Sequence, residues 1–225
     1  MRPAFDHRPP LPEMPDGLSL EFCRLDDDRD MTLAAARASL TPAERARAAR
    51  FRFDRDAHRY IRGRGMLRRA LSARLGLAPG AVPLTEGARK KPELAVPGPG
   101  FNFSNSGALG VLVLREGGAV GVDLELADRA LDPLALAPNC FQDHETAVLA
   151  ALPEPARLAR FLAFWTAKEA LMKLTGEGMY LAPTSIGLRL EDGLPVGFDA
   201  PAPHRGVTLF CPTLQPECHL ALAWE

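Results

Sequence analysis

The chain has 225 residues, of which 47% are hydrophobic, so it can bury a substantial core without disulfides or a structural metal. Its 27 basic and 28 acidic residues leave a net charge of −1, which argues against a general nucleic-acid-binding coat and against an acidic disordered tail. Only four of the basic residues are lysines, namely Lys90, Lys91, Lys168 and Lys173. So strong a bias towards arginine raises the question of why these four are present.

The four cysteines form no CxxC pair and no regular pattern, which predicts reduced, mostly buried thiols rather than a disulfide framework or a metal cluster. They are Cys23, Cys140, Cys211 and Cys218. The N-terminus carries Arg2 and then prolines, and no run of the chain approaches about 18 apolar residues. We therefore expect a soluble protein of the cytoplasm that has no membrane partner.

The first elements follow from composition and periodicity. Five prolines within residues 3–15 predict an extended N-terminal arm, residues 1–17. Alternating apolar residues from Leu18 to Phe22 then predict a strand. Helical patterns follow around 31–50, interrupted by a helix start signal at Thr41-Pro42, and around 56–75. Strand and helices together begin a folded unit.

Two apolar segments, 110–114 and 119–126, flank a glycine-containing loop, a pattern that predicts a β-hairpin. The patterns beyond it predict helices near 134–150 and 155–175, and strands near 185–190, 207–211 and 219–224. Strands and helices in this order indicate an α+β fold of two similar halves. With a boundary near Gly117, the halves are residues 18–117 and 118–225, and the second carries the candidate metal site described below.

Positive charge is concentrated between Arg37 and Arg74, where twelve arginines accompany three acidic residues. Such a segment is either a solvated helical surface held by salt bridges or a surface that receives an anion. The sequence by itself leaves both alternatives open.

The segment GVDLE contains two acidic residues in a predicted strand. Because side chains alternate across a strand, Asp123 and Glu125 share one face. Two like charges at this spacing repel each other unless a cation lies between them, and their oxygens suit a hard ion such as Mg2+. The alternative is a solvent-facing edge with two ordinary surface acids, which the strand taken alone favours.

Two further segments carry polar side chains of interest. In WTAKEALMK, Trp165, Glu169 and Lys173 lie on one stripe of the predicted helix with Lys168 beside it, and neighbouring aromatic residues indicate that the helix is mostly buried. A Glu–Lys pair at this spacing is otherwise a surface pair worth about 0.3 kcal/mol. In FNFSNSG, residues 101–107, hydroxyl and amide side chains can donate to a phosphate, a pattern that many turns share.

In this order, FNFSNSG, GVDLE and WTAKEALMK resemble the signature of the 4′-phosphopantetheinyl transferases, of the pseudo-dimeric type that includes the surfactin-synthetase activator. The segments LTPAERARAARFRFDRDAHRYIRGR and GARKKPEL extend the resemblance to about residues 40–190. It implies two similar α+β halves in one monomer, with a coenzyme A site between them. It also implies that the phosphopantetheine arm of coenzyme A is moved to a serine of an acyl, peptidyl or aryl carrier protein, releasing adenosine 3′,5′-bisphosphate.

The resemblance also implies roles for single residues. Asp123, Glu125 and Glu169 match ligands of Mg2+, so that Asp123 and Glu169 are catalytic residues. Lys173 matches the lysine that stabilises or protonates the leaving phosphate, and Glu169 or a metal-bound water would accept the serine proton. The residues that match coenzyme A contacts are Arg47, Arg59, Lys91, Ser104, Asn105 and Lys168. Three of the four lysines, Lys91, Lys168 and Lys173, therefore match positions that contact coenzyme A or its leaving phosphate. At such positions an ammonium can donate a proton and a guanidinium cannot.

Two positions depart from the family pattern. Asn105 replaces a histidine beside Ser104, and Glu44 replaces a basic residue that contacts the 3′-phosphate, which leaves Arg45 or Arg47 to compensate. We expect weaker phosphate contacts but retained chemistry. Glu145 matches a further acid of the family, without an assigned role.

Two other functions are compatible with parts of the sequence. One is a catalytically silent module that binds coenzyme A or a carrier protein, and the complete set of acids with Lys173 argues against it. The other is a nucleic-acid-binding protein that uses the arginine-rich segment. The negative remainder of the chain, and the lack of a basic motif interleaved with aromatic residues, argue against a nucleic-acid partner.

Overall fold

The structure, a computed structural model, describes residues 9–87, 91–128, 130–199, 206–215 and 217–225. Residues 1–8 of the predicted arm and Lys90 lie outside the described residues. Helices and strands are mixed along the chain, which confirms the predicted α+β class. Within the described part of the chain, no helix is long and apolar enough to cross a membrane.

The elements are as follows. The strands are β1 (Leu18–Arg24), β2 (Leu84–Glu86), β3 (Pro92–Leu94), β4 (Gly100–Ser106), β5 (Leu109–Arg115), β6 (Val120–Leu126), β7 (Gly187–Glu191), β8 (Leu194–Asp199), β9 (Thr208–Phe210) and β10 (Cys218–Trp224). The α-helices are α1 (Leu33–Ala38), α2 (Pro42–Ala48), α3 (Asp54–Leu75), α4 (Pro133–Cys140), α5 (Asp143–Ala151) and α6 (Glu154–Thr175).

Two three-stranded antiparallel sheets form the centre of the molecule, with strand orders β1-β5-β4 and β6-β10-β9. Alternate residues of their strands, such as Val111, Val122 and Leu222, pack together in one buried cluster between the sheets. Helix α3 contributes to a second buried cluster with the first sheet, and α6 contributes to a third with β10 of the second sheet. Each sheet is therefore packed against the other sheet and against one 22-residue helix.

The predicted β-hairpin between 110–114 and 119–126 is wrong, because its two strands belong to different sheets. β5 pairs with β1 on one edge and with β4 on the other, so no edge of β5 is left for β6. β6 instead pairs with β10, with Asp123 opposite Ala221. The glycine-containing loop therefore carries the chain from one sheet to the other.

Two predicted helical patterns each form two helices. The division of the 31–50 pattern into α1 and α2 confirms the predicted start signal at Thr41-Pro42, and Thr41 and Glu44 make a capping box that begins α2. The pattern at 134–150 forms α4 and α5, and Gln142 with Glu145 makes a second capping box at the start of α5. In both places the side chains that satisfy free backbone N–H groups start a new helix.

Candidate active site

Helix α6 lies unusually close to strand β6 at Gly121. A Cβ atom at this position would lie 2.0 Å from the carbonyl oxygen of Ala170 and 2.5 Å from the backbone nitrogen of Leu174. Both distances are far below van der Waals contact, so only glycine fits here. Since Gly121 and Asp123 lie on the same face of β6, this close packing brings the side chains of α6 next to Asp123.

We expect Gly121→Ala to destabilise the protein by about 3 kcal/mol, because the methyl group must displace helix backbone rather than a flexible side chain. Equilibrium unfolding in urea would measure this change. Gly80→Ala is a matched control, since the nearest atom to an added Cβ there is 4.0 Å away. Equal stabilities of the two variants would show that α6 can move away from β6 without cost.

The most compact polar cluster is built around Asp123, of which only 3% is exposed. Its Oδ1 accepts hydrogen bonds from the Lys173 ammonium at 2.5 Å and from the Ser104 hydroxyl at 2.9 Å. Lys173 also donates to Ser104 Oγ at 2.8 Å and lies 3.7 Å from Glu169 Oε2. Residues of β4, β6 and α6 thus meet at one point, between the two sheets and the second long helix.

Glu125 and Glu169 complete the acidic part of the cluster. Glu125 Oε2 accepts a hydrogen bond from the Ser106 hydroxyl at 2.8 Å. Burial raises the pKa of Glu169, and the nearby charges of Asp123 and Glu125 raise it further, while Lys173 opposes them. The carboxylates are therefore close enough to disfavour each other's charge, as expected of a site that receives a cation.

One atom of the cluster has no hydrogen-bond partner and is suited to bind a cation. Asp123 Oδ2 is buried and has no hydrogen-bond partner, which is costly for a carboxylate oxygen unless something else binds there. Within the described residues, no three acidic, histidine or cysteine side chains are already gathered as metal ligands. The donor set is nonetheless of the oxygen type that Mg2+ prefers, and the unsatisfied Oδ2 supplies one coordinating atom.

A pocket of about 450 Å3 lies beside this cluster, between α3 and β4. Of the predicted coenzyme contacts, the structure brings Arg47, Arg59 and Asn105 to its wall. Several other lining residues, which were not predicted from the sequence, lie on the same face of α3 or pack against it: Phe51, Asp56, Tyr60, Gly63, Arg64, Leu67, Phe101 and Phe103. Those on α3 recur at intervals of three and four residues, so helical periodicity measured from Arg59 could have found them.

The arginines of this pocket already have carboxylate partners. Arg59 makes two hydrogen bonds of 2.6 Å to Asp26, which raise the pKa of the guanidinium. Arg47 lies 3.3 Å from Glu86 and stacks over the Tyr60 ring at 5.3 Å. Salt bridges therefore explain part of the arginine-rich segment, and the side chains of Arg47 and Arg59 also line the pocket.

Glu44, which replaces a basic residue of the family pattern, has a structural role. It caps α2 and accepts a hydrogen bond of 2.6 Å from Arg68, with Arg64 at 3.5 Å. Burial works to raise the pKa of Glu44, but the hydrogen bonds from Arg68 and the Thr41 backbone outweigh it and hold the pKa below its usual value. Glu44 is thus a charged partner of two arginines.

Lys91 contacts the end of α6 rather than the acidic cluster. Its ammonium donates to the carbonyl oxygens of Lys173 and Leu174 at 2.6 and 3.2 Å. These are among the last carbonyls of the helix, where a cation is favourable. Burial lowers the pKa of Lys91. The contact ties the segment before β3 to the helix turn that carries Lys173.

Lys168, also predicted to contact coenzyme A, lies away from the cleft in the structure. Its side chain is 0% exposed, and its ammonium donates to Glu145 at 2.5 Å and to the carbonyls of Cys140 and Pro183, both at 3.1 Å. All three protons are used, so none remains for a phosphate. Burial lowers the pKa of Lys168, against the effect of Glu145. In this geometry Lys168 forms an internal ion pair with Glu145.

Glu145 uses its carboxylate to join three parts of the second half. Besides the ion pair with Lys168, it accepts from the backbone nitrogens of Gln142 at 2.8 Å and Leu188 at 2.7 Å. It is fully buried. The acid that the sequence left without a role therefore connects α5, α6 and β7.

We expect Lys168→Met to destabilise the protein by about 3 kcal/mol, because it leaves a buried carboxylate without its cation. The double variant Glu145→Gln/Lys168→Met should recover part of this loss, since no charge is then buried. Urea unfolding would measure both. As a control, Glu116→Gln breaks the exposed pair with Arg74 and should cost less than about 1 kcal/mol. A Lys168→Met loss no larger than this control would contradict a role of the ion pair in stability.

Cys211, which follows β9, and Cys218, which begins β10, are not reactive thiols. Burial raises the pKa of both Cys211 and Cys218 to about 12, so they remain protonated near neutral pH. All four cysteines are free, and Cys23 and Cys218 are buried, as predicted for reduced thiols.

Comparison with known families finds two matching models along the chain. Residues 28–116 match the model described as 4′-phosphopantetheinyl transferase, N-terminal, and residues 119–202 match that of the 4′-phosphopantetheinyl transferase superfamily. The two matches adjoin near the crossing between the sheets. The chain therefore belongs to the 4′-phosphopantetheinyl transferase superfamily.

Individual relatives are similar over a large part of the chain. The 4′-phosphopantetheinyl transferase HetI of Nostoc sp. is 36% identical, over 68% of this chain and 66% of the relative. A putative 4′-phosphopantetheinyl transferase of Synechocystis sp. is 35% identical, over 63% of this chain and 59% of the relative. Sfp of Bacillus subtilis is 26% identical, over 73% of each chain. The chain thus spans slightly less than two thirds of the first two relatives.

A solved structure is similar to part of the chain. The holo-(acyl-carrier-protein) synthase of Bacillus anthracis, in complex with CoA, has 24% sequence identity and a TM-score of 0.41. The match covers 48% of this chain and 93% of that one.

Proposed function

We propose that this protein transfers the 4′-phosphopantetheine arm of coenzyme A to a serine of an apo acyl, peptidyl or aryl carrier protein, giving the holo carrier protein and adenosine 3′,5′-bisphosphate. The observation that carries this proposal is the cluster of Asp123, Glu169, Lys173 and Ser104 beside an arginine-lined pocket, in a chain of this superfamily. Phosphoryl transfer needs charge neutralisation and positioning, and a cluster of this kind supplies both.

The proposed reaction forms one bond and breaks one bond at phosphorus. The hydroxyl oxygen of the carrier serine attacks the phosphorus that bears the pantetheine arm, and the bond from this phosphorus to the bridging oxygen of the pyrophosphate breaks. The serine proton must go to a base. Glu169 is the candidate, because its carboxylate lies in the same cluster, with Oε2 3.7 Å from the Lys173 ammonium.

Lys173 is the candidate group for the leaving phosphate. Asp123 and Ser104 hold its ammonium at 2.5 and 2.8 Å, so its position is fixed while one of its three protons remains for a further contact. An ammonium there would stabilise the charge that develops on the 5′-phosphate of adenosine 3′,5′-bisphosphate, or donate a proton to it.

We propose Asp123, Glu125 and Glu169 as the side chains that would hold Mg2+. When bound, the ion would neutralise charge on the pyrophosphate. The unsatisfied Asp123 Oδ2 and the raised pKa of Glu169 support this assignment. Within the protein, Asp123 also fixes Ser104 and Lys173 through hydrogen bonds to its other oxygen.

For coenzyme A we propose the pocket beside β4, with Arg47, Arg59 and Asn105 on its wall, and Ser104 as a contact from the adjoining cluster with Asp123 and Lys173. Lys91 would act through its contact with the end of α6. Each guanidinium group would either leave its carboxylate partner to bind a phosphate, or bind the carboxylate and the phosphate together. Carrier proteins are typically acidic, so the exposed arginines of the 37–74 segment would provide complementary charge.

We further propose that the protein acts as a monomer in the cytoplasm. Its halves, 18–117 and 118–225, would take the place of two subunits, and each contains one three-stranded sheet and one 22-residue helix. Four free cysteines are consistent with a reducing compartment.

The deciding test is a transfer assay. The protein is mixed with coenzyme A, Mg2+ and a panel of apo carrier proteins, and mass spectrometry detects the addition of a phosphopantetheine group to the carrier. We expect modification of at least one carrier at its serine. A folded protein that binds coenzyme A but modifies none of a broad panel would instead be a binding module.

A further inference from the structure

Strand β4 holds strand β6 through side chains, although the two strands belong to different sheets. Asn102 Oδ1 accepts from the backbone nitrogen of Val122 at 3.0 Å. Two residues further along β4, the Ser104 hydroxyl donates to Asp123. Another two residues further, Ser106 contacts Glu125 at 2.8 Å. Alternate residues of FNFSNSG therefore form a side-chain ladder along β6, in which two of the three contacts are made to acids of the candidate active site.

The third contact of this ladder is the most constrained. Ser106 is 5% exposed, and its Oγ accepts a hydrogen bond of 3.1 Å from the backbone nitrogen of Leu126. A serine hydroxyl has only one proton to donate. Because Leu126 approaches the oxygen as a donor, that proton is directed to Glu125 Oε2. Ser106 thus links the orientation of one carboxylate to the backbone of the strand that carries it.

We propose that Ser106 is a positioning residue that holds the Glu125 carboxylate ready for Mg2+. The inference rests on the proposed function, in which Glu125 is a metal ligand. Groups that hydrogen-bond to metal ligands set ligand orientation, and their loss typically weakens metal binding by about 10- to 100-fold. Ser106 would act on the metal only through Glu125. Its loss should therefore weaken the affinity for the metal more than the affinity for coenzyme A.

The test measures Mn2+ binding directly. Free Mn2+ is titrated by electron paramagnetic resonance in the presence of coenzyme A, for the wild-type protein, Ser106→Ala and Ser106→Thr. We expect Ser106→Ala to raise the Kd for Mn2+ about tenfold, and Ser106→Thr, which keeps the hydroxyl, to restore most of the affinity. In the transfer assay the Mg2+ concentration for half-maximal rate should shift in the same way, while KM for coenzyme A changes less than about threefold.

Ser39→Ala is the matched control for a buried serine outside the site. The Ser39 hydroxyl donates to the carbonyl of Ala35 at 3.0 Å, and the residue is buried in the first half. We expect it to leave the Kd for Mn2+ unchanged. If Ser106→Ala folds poorly, Ser106→Cys keeps nearly the same volume with a much weaker donor and gives the same comparison.

Three results would overturn the inference. The first is a Ser106→Ala variant that binds Mn2+ as tightly as the wild-type protein, and the second is an equal loss in Ser39→Ala. The third is a wild-type protein that binds no Mn2+ even with coenzyme A present. The transfer assay on the wild-type protein separates these failures from a failure of the proposed function, because it measures carrier modification without reference to Ser106.

Discussion

The Asp123→Asn variant should transfer the phosphopantetheine arm about 1,000 times more slowly than the wild-type protein. The carboxylate makes two charge-dependent contacts through Oδ1, to Lys173 and Ser104, and its Oδ2 is buried without a partner. An amide has nearly the same shape, but it is neutral, and its nitrogen donates where the carboxylate accepts. The variant therefore loses the negative charge that attracts a cation and Lys173, and with its oxygen at the Oδ1 position it has an NH2 group in place of the Oδ2 that would bind the cation.

The measurement is kcat/KM in the transfer assay, with urea unfolding of the same samples. The free energy of unfolding should change by about 1 kcal/mol or less, since Lys173 is partly exposed and water can solvate it. Asp192→Asn is the control. Asp192 lies in the exposed turn between β7 and β8 with φ of 50°, where asparagine is tolerated. Wild-type rates in Asp123→Asn would remove Asp123 from the catalytic site.

Periodicity was sufficient for the local parts of this site. Alternation along β6 requires Asp123 and Glu125 to share a face, and the four-residue spacing on α6 requires Glu169 and Lys173 to lie one turn apart. Neither pattern, however, says which faces meet. That information lies in Gly121, whose missing side chain lets α6 approach β6. A single glycine in a strand is equally typical of a bulge or a tight bend, so the sequence does not distinguish these structures.

Strand pairing could not be read from neighbouring segments. The apolar strands β5 and β6 follow each other across a short glycine-containing loop, which is the normal sequence pattern of a hairpin. The outcome depended on β1, which begins at Leu18 and takes the free edge of β5. Such long-range competition for a strand edge leaves no local mark in the sequence, because β5 is apolar on both faces in either arrangement.

The ion-pair partners of charged residues likewise could not be predicted from the sequence. Arg59 pairs with Asp26, which is 33 positions away, and Lys168 pairs with Glu145, which is 23 positions away. Lys168 is adjacent in sequence to Glu169, the proposed catalytic residue, yet successive residues of a helix point about 100° apart. Lys168 therefore points into the core of the second half, while Glu169 remains beside Asp123. The sequence motif alone does not distinguish the two directions.

Lys173→Arg should lower kcat about 100-fold while KM for coenzyme A changes less than about threefold. A guanidinium preserves the positive charge and can still contact Asp123, so binding of an anionic substrate is largely kept. Its planar fork is wider than an ammonium held 2.5 Å from Asp123 and 2.8 Å from Ser104. It also stays protonated at any working pH, so it cannot give a proton to the leaving phosphate.

Lys173→Ala separates the two contributions of this residue. Alanine has neither the charge nor a proton to donate, so kcat of this variant should be about 1,000 times lower than that of the wild-type protein. The ratio of kcat between the arginine and alanine variants then reports the contribution of the positive charge. Steady-state kinetics with saturating carrier protein would give both numbers. If arginine supports the wild-type kcat, a fixed positive charge suffices at this position and proton donation is not needed. The scarcity of lysine in this arginine-rich chain would then have no connection with the chemistry of the leaving group.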